Sequence, residues 1–340
     1  MAIAASSPPS VSSLEFSRAD RLLVVAPHPD DETLACGELI QCALAAGASV
    51  RVLLASDGDD NPWPQRWLER RVWIGAAARR RWGERRRAEA LAALEVLGAG
   101  AIEVRCLGWP DQGLTRALLA DDAAVTLLAA ELGTFAPTQL VMPALADRHP
   151  DHSALHVALA LALLRTRLPC RCLRYGVHGG SGPTGTPLPS APSHLQRKLA
   201  ALACHASQLA LSRRRLLAIA QRPEWFDLAA APAADPAKAL AEPVMLRLTA
   251  QARWPLRHEL LVLAASADGS VSRIRAPLGL PGRTPFAIDT GAVTLRLQGG
   301  DLQLARTGST SPLVAVWAKL HRSEPRLIVF DRDGWQQAEA

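Results

Sequence analysis

Short, nearly unbroken apolar runs alternate with longer stretches of helical spacing through the first two thirds of this 340-residue chain. RLLVVAP at 21–27, SVRVLLAS at 49–56, AIEVRCLG at 101–108, TQLVMPA at 138–144 and CRCLRYGVH at 170–178 have the length and branched-residue content of buried strands. Between them, 33–48, 78–99, 121–133 and 153–165 return apolar positions at intervals of three and four, and another helical segment follows at 194–220. This alternation predicts a Rossmann-like α/β unit, a mainly parallel sheet with helices on both faces, whose ligand site lies at the carboxyl ends of the strands. No G-x-G-x-x-G follows the first strand, so a dinucleotide fingerprint is absent.

After residue 243 the pattern changes. Short runs such as HELLVLAA, SVSRIRA, AVTLRLQ, LVAVWAKL and RLIVFD are punctuated by DGS, PGR and GGD turns, which predicts a β-sandwich-like module. The expected organisation is a disordered tail at 1–19, an α/β domain at 20–228, an Ala- and Pro-rich linker at 229–243 and a β-rich accessory domain at 244–336. SDGDDNPWPQ at 56–65 and the Gly/Pro/Ser-rich 179–193 read as loops.

Composition adds limits. A chain that is 49% hydrophobic can bury a large core. Its apolar runs fall short of the roughly 18 residues a membrane span needs. The N-terminal stretch lacks a positive region and a continuous apolar segment, so a secretory signal is not expected and the chain reads as cytoplasmic. The six cysteines lack paired Cys-x-x-Cys spacing and read as reduced core thiols. A net charge of +6 and six arginines at 78–90 invite a nucleic-acid reading. The bland alternative is a solvated helix face, and with one Tyr, five Phe and no zinc-finger or RNP-like pattern, no specific nucleic-acid partner is expected. Anionic small molecules or lipid surfaces suit the excess charge equally well. Trp63 and Trp67 suit either a sugar-stacking wall or a cover for the core.

The chemistry concentrates in the loops after the strands. HPDDE at 28–32 packs one histidine and three carboxylates into one turn, and DRHPDH at 147–152 follows another strand. His28, Asp31 and His152 form the kind of two-imidazole, one-carboxylate set that holds a catalytic zinc ion with a position open for water. Asp30 is then free to act as general base and His149 as an oxyanion donor. The alternative is structural: Asp30 or Asp31 caps the helix beginning at Thr33, and His149 and His152 flank another helix start. The joint occurrence of both turns favours the metal. His156 reads as a packing or surface residue and His205 as a satisfied helix residue, rather than as further ligands.

PHPDDE at 27–32, SDG at 56–58, Arg86 and Glu89 followed by LAALEVLG, LGWPDQG at 107–113 and HPDH at 149–152 together resemble the LmbE-like, or PIG-L, family of zinc-dependent N-acetylglucosamine de-N-acetylases, over about residues 20–225. The resemblance implies one Zn2+ per chain, with Fe2+ an alternative, held by His28, Asp31 and His152. It implies Asp30 as base, His149 as electrophilic helper with Asp151 orienting or tuning it, and Arg86 and Asp111 as holders of sugar hydroxyls or an anionic aglycone. The implied substrate is an N-acylated amino sugar. Some members carry a tyrosine where this chain has Asp147. The competing expectations are a metal-containing carbohydrate-binding protein without turnover and a basic nucleic-acid-binding module.

Overall fold

The computed structural model describes residues 14–179, 185–232, 234–248, 258–278, 286–291, 293–298, 301–307, 311–322, 330 and 334–338. Five strands pair in parallel: β1 (Arg21–Ala26), β2 (Ser49–Ser56), β3 (Ile102–Trp109), β4 (Gln139–Pro143) and β5 (Arg171–Tyr175). With β6 (Thr186–Pro187) and β7 (Trp225–Ala230), which pair antiparallel, they form one sheet in the order β3-β2-β1-β4-β5-β7-β6. The chain reverses its direction of growth between β1 and β4. A doubly wound sheet opens its crevice at such a point, above the carboxyl ends of those strands.

The helices are α1 (Asp31–Ala45), α2 (Pro62–Glu69), α3 (Ala76–Gly98), α4 (Leu114–Ala120), α5 (Ala123–Phe135), α6 (Pro150–Thr166), α7 (Pro192–Cys204) and α8 (Ala206–Ala220). Alternate residues of β1 feed opposite cores, as the period of a strand requires. Leu22 and Val24 join α1, α3, α7 and α8 on one face, while Leu23 and Val25 join α4, α5 and α6 on the other. Two helices lie outside the expected ones, α2 beginning within the expected 56–65 loop and α4 occupying a stretch to which the sequence pattern assigned no element. Pro62 at the first turn starts α2, and α4 follows the WPDQG turn.

Beyond the α/β unit lie two four-stranded antiparallel sheets. One has the order β10-β9-β14-β15, from β9 (His258–Ser266), β10 (Val271–Leu278), β14 (Leu313–Arg322) and β15 (Gln336–Gln337). The other has the order β11-β12-β13-β8, from β8 (Val244–Arg247), β11 (Phe286–Asp289), β12 (Val293–Gln298) and β13 (Asp301–Arg306). The first sheet is buried on both faces. Leu260, Val262 and Ala264 meet the second sheet, whereas Leu261, Leu263 and Ala265, with Trp317 from β14, pack into the core that contains α4, α5 and α6.

The β-rich region therefore shares a core with the α/β unit. The expected linker begins inside β7, makes a single 3-10 turn at Pro236–Lys238, and buries Leu240, whose N–H bonds the carbonyl of Leu313. Most of the expected RLIVFD strand and residues 1–13 of the expected tail lie outside the described residues. Leu14, within the expected 1–19 tail, is buried against the sheet rather than disordered. All six cysteines are free, and Cys106 is exposed rather than in the core.

Candidate metal and hydrolytic site

The turn after β1 is held in a conformation that an ordinary residue resists. Asp30 has φ 130° and ψ −26°, a backbone state that costs a side chain-bearing residue about 1–3 kcal/mol. Neighbouring groups pin it there. Its N–H donates to Glu32 Oε2 at 3.0 Å, and its carbonyl accepts the first helical bond, from Leu34. Arg86, buried on α3, donates to the carbonyls of Pro29 (2.7 Å) and Gly58 (2.6 Å) and sets its Nη2 3.4 Å from Asp30 Oδ1. Gly58 has φ +61°, and a Cβ there would stand 1.9 Å from Arg86 Nη1.

Neither Asp30 nor Asp31 caps α1 with a side-chain hydrogen bond to its first N–H groups. Asp30 makes no such bond, and Asp31 is the first helical residue. Asp31 turns inward instead. Its Oδ2 lies 3.3 Å from His28 Nδ1 and 3.1 Å from His152 Nε2. One ring nitrogen from each of His28, His149 and His152 also lies within 4.8 Å of the other two. The same holds for ligand atoms of Asp31, His152 and His178, and for those of His28, Asp111 and Asp151.

The far ring nitrogens meet carboxylates. His28 Nε2 is 3.1 Å from Asp111 Oδ1 and 3.3 Å from Asp151 Oδ2, and His152 Nδ1 is 3.1 Å from Asp147 Oδ2. These acids are fixed in turn by backbone donors. Asp111 accepts from Asp60 N–H, Asp151 from Gln112 and Leu114 N–H, and Asp147 from His149, Val177 and His178 N–H. A histidine whose second nitrogen faces a carboxylate is the usual arrangement around a metal. Both nitrogens of His152 are buried and lack a partner in hydrogen-bonding geometry, so the carboxylates beside them supply charge but no aligned bond.

Electrostatics agrees with a cation. Burial penalises the charged form of His28, but Asp111, Asp151 and Asp31 outweigh it and hold its pKa well above the ordinary value. Burial likewise opposes charge on His152, yet Asp147 and Asp31 raise it to about 10. The cluster draws positive charge to itself, which a divalent ion would satisfy. His149 behaves in the opposite way. Burial, reinforced by His28, His152 and His178, holds its pKa well below the usual range. As the residue capping α6, it accepts Asp151 N–H at Nδ1 (3.2 Å), which leaves its proton on Nε2. Asp30 is pushed up to about 6 by burial, with Arg86 restraining the rise.

Of the eight expected residues, His28, Asp30 and Asp31 follow β1, His149, Asp151 and His152 follow β4, Asp111 follows β3 and Arg86 reaches in from α3, and three face differently than expected. Arg86 is buried, with Nη1 and Nη2 on loop carbonyls and Nε without a partner in hydrogen-bonding geometry. Asp111 faces His28. Asp151 reaches His28 with its carboxylate and touches His149 only through its backbone N–H. The sequence reading missed Asp147 as a partner of His152. It also missed His178, which closes the predicted strand 170–178 and accepts from Arg215 at 2.9 Å, and Phe330, whose ring lies 6.2 Å from that of His149 and 5.2 Å from that of His178. His156 is a packing residue, its Nδ1 2.8 Å from the Pro143 carbonyl, and His205 is buried beside Thr33 and Glu32. Beside the site, a cavity of about 550 Å3 runs between Leu34, Asp147, Val177, Arg222 and Trp225.

Residues 23–163 match the family model described as PIG-L, GlcNAc-PI de-N-acetylase. Over 156 residues the chain is 35% identical to the 1D-myo-inositol 2-acetamido-2-deoxy-alpha-D-glucopyranoside deacetylase of Mycolicibacterium smegmatis, covering 42% of this chain and 53% of that protein. The Gordonia bronchialis enzyme of the same name is 32% identical over 161 residues, covering 42% and 57%. The chain spans about half the length of the curated relatives it matches. Among solved structures, N,N'-diacetylchitobiose deacetylase from Pyrococcus horikoshii is similar with a TM-score of 0.48 and 16% identity, covering 62% of this chain and 84% of that one.

Proposed function

We propose that this chain is a PIG-L, or LmbE-like, metal-dependent hydrolase that removes the N-acetyl, or another N-acyl, group from an amino sugar, a reading supported by the match of residues 23–163 to that family model. The observation that carries the reading is the buried set in which Asp31 Oδ2 stands between His28 Nδ1 and His152 Nε2, each ring backed by a carboxylate. His28, Asp31 and His152 suit one divalent ion, Zn2+ or Fe2+. When bound, the ion supplies a Lewis acid that polarises the amide carbonyl and makes water more acidic.

The chain's own groups do the remainder. Asp30, on its pinned turn, takes a proton from the water whose oxygen attacks the acyl carbon. A carboxyl with a pKa near 6 is ionised at neutral pH and basic enough for that transfer. His149, neutral with its proton on Nε2, donates to the developing oxyanion. Collapse breaks the C–N bond, Asp30 passes the proton it took from the water to the departing nitrogen, and carboxylate and free amine leave. Asp111 and Asp151 back His28 and Asp147 backs His152 with negative charge, and Arg86 holds Asp30.

The deciding experiment incubates metal-replete protein with a panel of N-acyl amino sugars, from simple N-acetylglucosaminides to lipid-linked and nucleotide sugars. Mass spectrometry should detect loss of an acyl group with a matching free amine, and chelation should abolish it. Metal-replete protein that binds these sugars without turnover would instead support a binding role.

A further inference from the structure

The α2–α3 corner exposes what a folded surface ordinarily hides. Trp63 is 59% exposed, Trp67 67%, Val72 88% and Trp73 85%. Trp63 and Trp67 are four residues apart and share one face of α2, while Pro64 and Gln65 point inward. Gln65 is fully buried and donates to the Ala78 carbonyl and to Glu69, which ties α2 to the start of α3. The outward direction of the indoles is therefore built in. Residues 61–81 also carry six arginines against one acid, Glu69. Arg70, Arg71, Arg80 and Arg81 are exposed, and the Arg66 guanidinium lies 5.0 Å over the Trp63 ring.

We propose that this corner docks the protein on an anionic lipid bilayer, a role separate from the hydrolytic chemistry. Indoles favour the boundary between headgroups and acyl chains, and guanidinium groups bond lipid phosphates there. The combination singles out a membrane over other anionic partners. Duplex nucleic acid would engage the arginines but leave Val72 and Trp73 in water. A second copy meeting the same face would bring six arginines against six. The corner also lies near the site: the loop entering α2 bonds through Asp60 N–H to Asp111, and Gln112 returns a bond to the Asp60 carbonyl. Docking here brings that edge of the sheet towards the lipid surface.

The test uses the full chain and vesicles of phosphatidylcholine alone or with one third phosphatidylglycerol. The protein should sediment with the anionic vesicles, weakly or not at all with the neutral ones, and less as salt rises. Brominated lipid in anionic vesicles should quench the tryptophan fluorescence. Arg70→Glu/Arg71→Glu and Trp67→Ser/Trp73→Ser should each weaken partitioning by at least ~10-fold while melting temperature stays unchanged. Failure to bind anionic vesicles at low salt would overturn the proposal, as would equal binding by wild type and both variants. Tighter binding to duplex DNA, or self-association lost in the same variants, would assign the corner to another partner and also overturn it.

Discussion

Strands β1 and β9 are both buried on both faces, yet only one leads to a site. β1 runs parallel to its neighbours and ends where the sheet order reverses, so the chain leaves it through a crevice walled by β4 and its loop. The backbone there can carry His28, Asp30 and Asp31 at little expense to the core. β9 is antiparallel to both neighbours and turns directly into β10 through Asp268 and Gly269, a tight exposed hairpin with no crevice. Equal burial therefore does not imply equal chemistry. The topology at the strand's end decides where polar groups can gather, and the antiparallel sheet acts chiefly by covering α4, α5 and α6.

The comparison breaks most sharply on removal of the sheets. A chain ending at residue 243 would leave the β9 and β14 side of the α6 core in water, and it should yield aggregated or molten protein. A truncated chain that melts cooperatively near the full-length temperature would make the sheets an independent accessory. Trp317→Ala, at the junction, should cost about 3–5 kcal/mol, the usual range for a buried aromatic. Chemical denaturation should show one transition for sheets and α/β unit together, and two separated transitions would contradict a shared core.

Within the α/β unit, His156 offers a pH-dependent contrast. Burial depresses its pKa to about 4. Its neutral form thus stabilises the fold fully above the unfolded value near 6.5, and this contribution is lost as pH falls towards 4. At most roughly 3 kcal/mol is at stake. Stability of His156→Gln should vary less between pH 7 and 4 than that of wild type, and an identical slope would remove this histidine from the account. A smaller effect is expected from Gly58→Ala. The strain at positive φ and the displaced guanidinium should cost about 1–2 kcal/mol and lower kcat by loosening the Asp30 turn. Normal kcat in this variant would show that Arg86 does not position that turn.

The strand-to-helix alternation and the two acidic, histidine-bearing turns were legible because each element is long, periodic and ends at one edge of a parallel sheet. The shared core was not, although its signal was present. LLVLAA at 260–265 is continuously apolar, the mark of a strand with both faces covered, and α6 is buried nearly all round, which requires a layer on its outer side. Spacing and run length assign each its element but do not say which layer covers it. Helical phase also contained the answer for Arg86. It falls on the face of α3 that buries Trp82, Gly83, Ala90 and Ala93, whereas Arg85 falls on the exposed one. For Asp111 no local pattern distinguishes a carboxylate facing substrate from one facing His28, because that depends on Asp60 and Asp151 arriving from distant loops.

The central claim is a division of labour between adjacent acids, with Asp31 holding the ion and Asp30 moving the proton. Metal content and kcat, determined on the same preparations of Asp31→Ala and Asp30→Asn, test it most directly. The account predicts that Asp31→Ala loses its metal, whereas Asp30→Asn retains about one ion per chain and loses about 10²- to 10⁴-fold in kcat. An Asp30→Asn protein without metal beside an Asp31→Ala protein that keeps it would contradict the account.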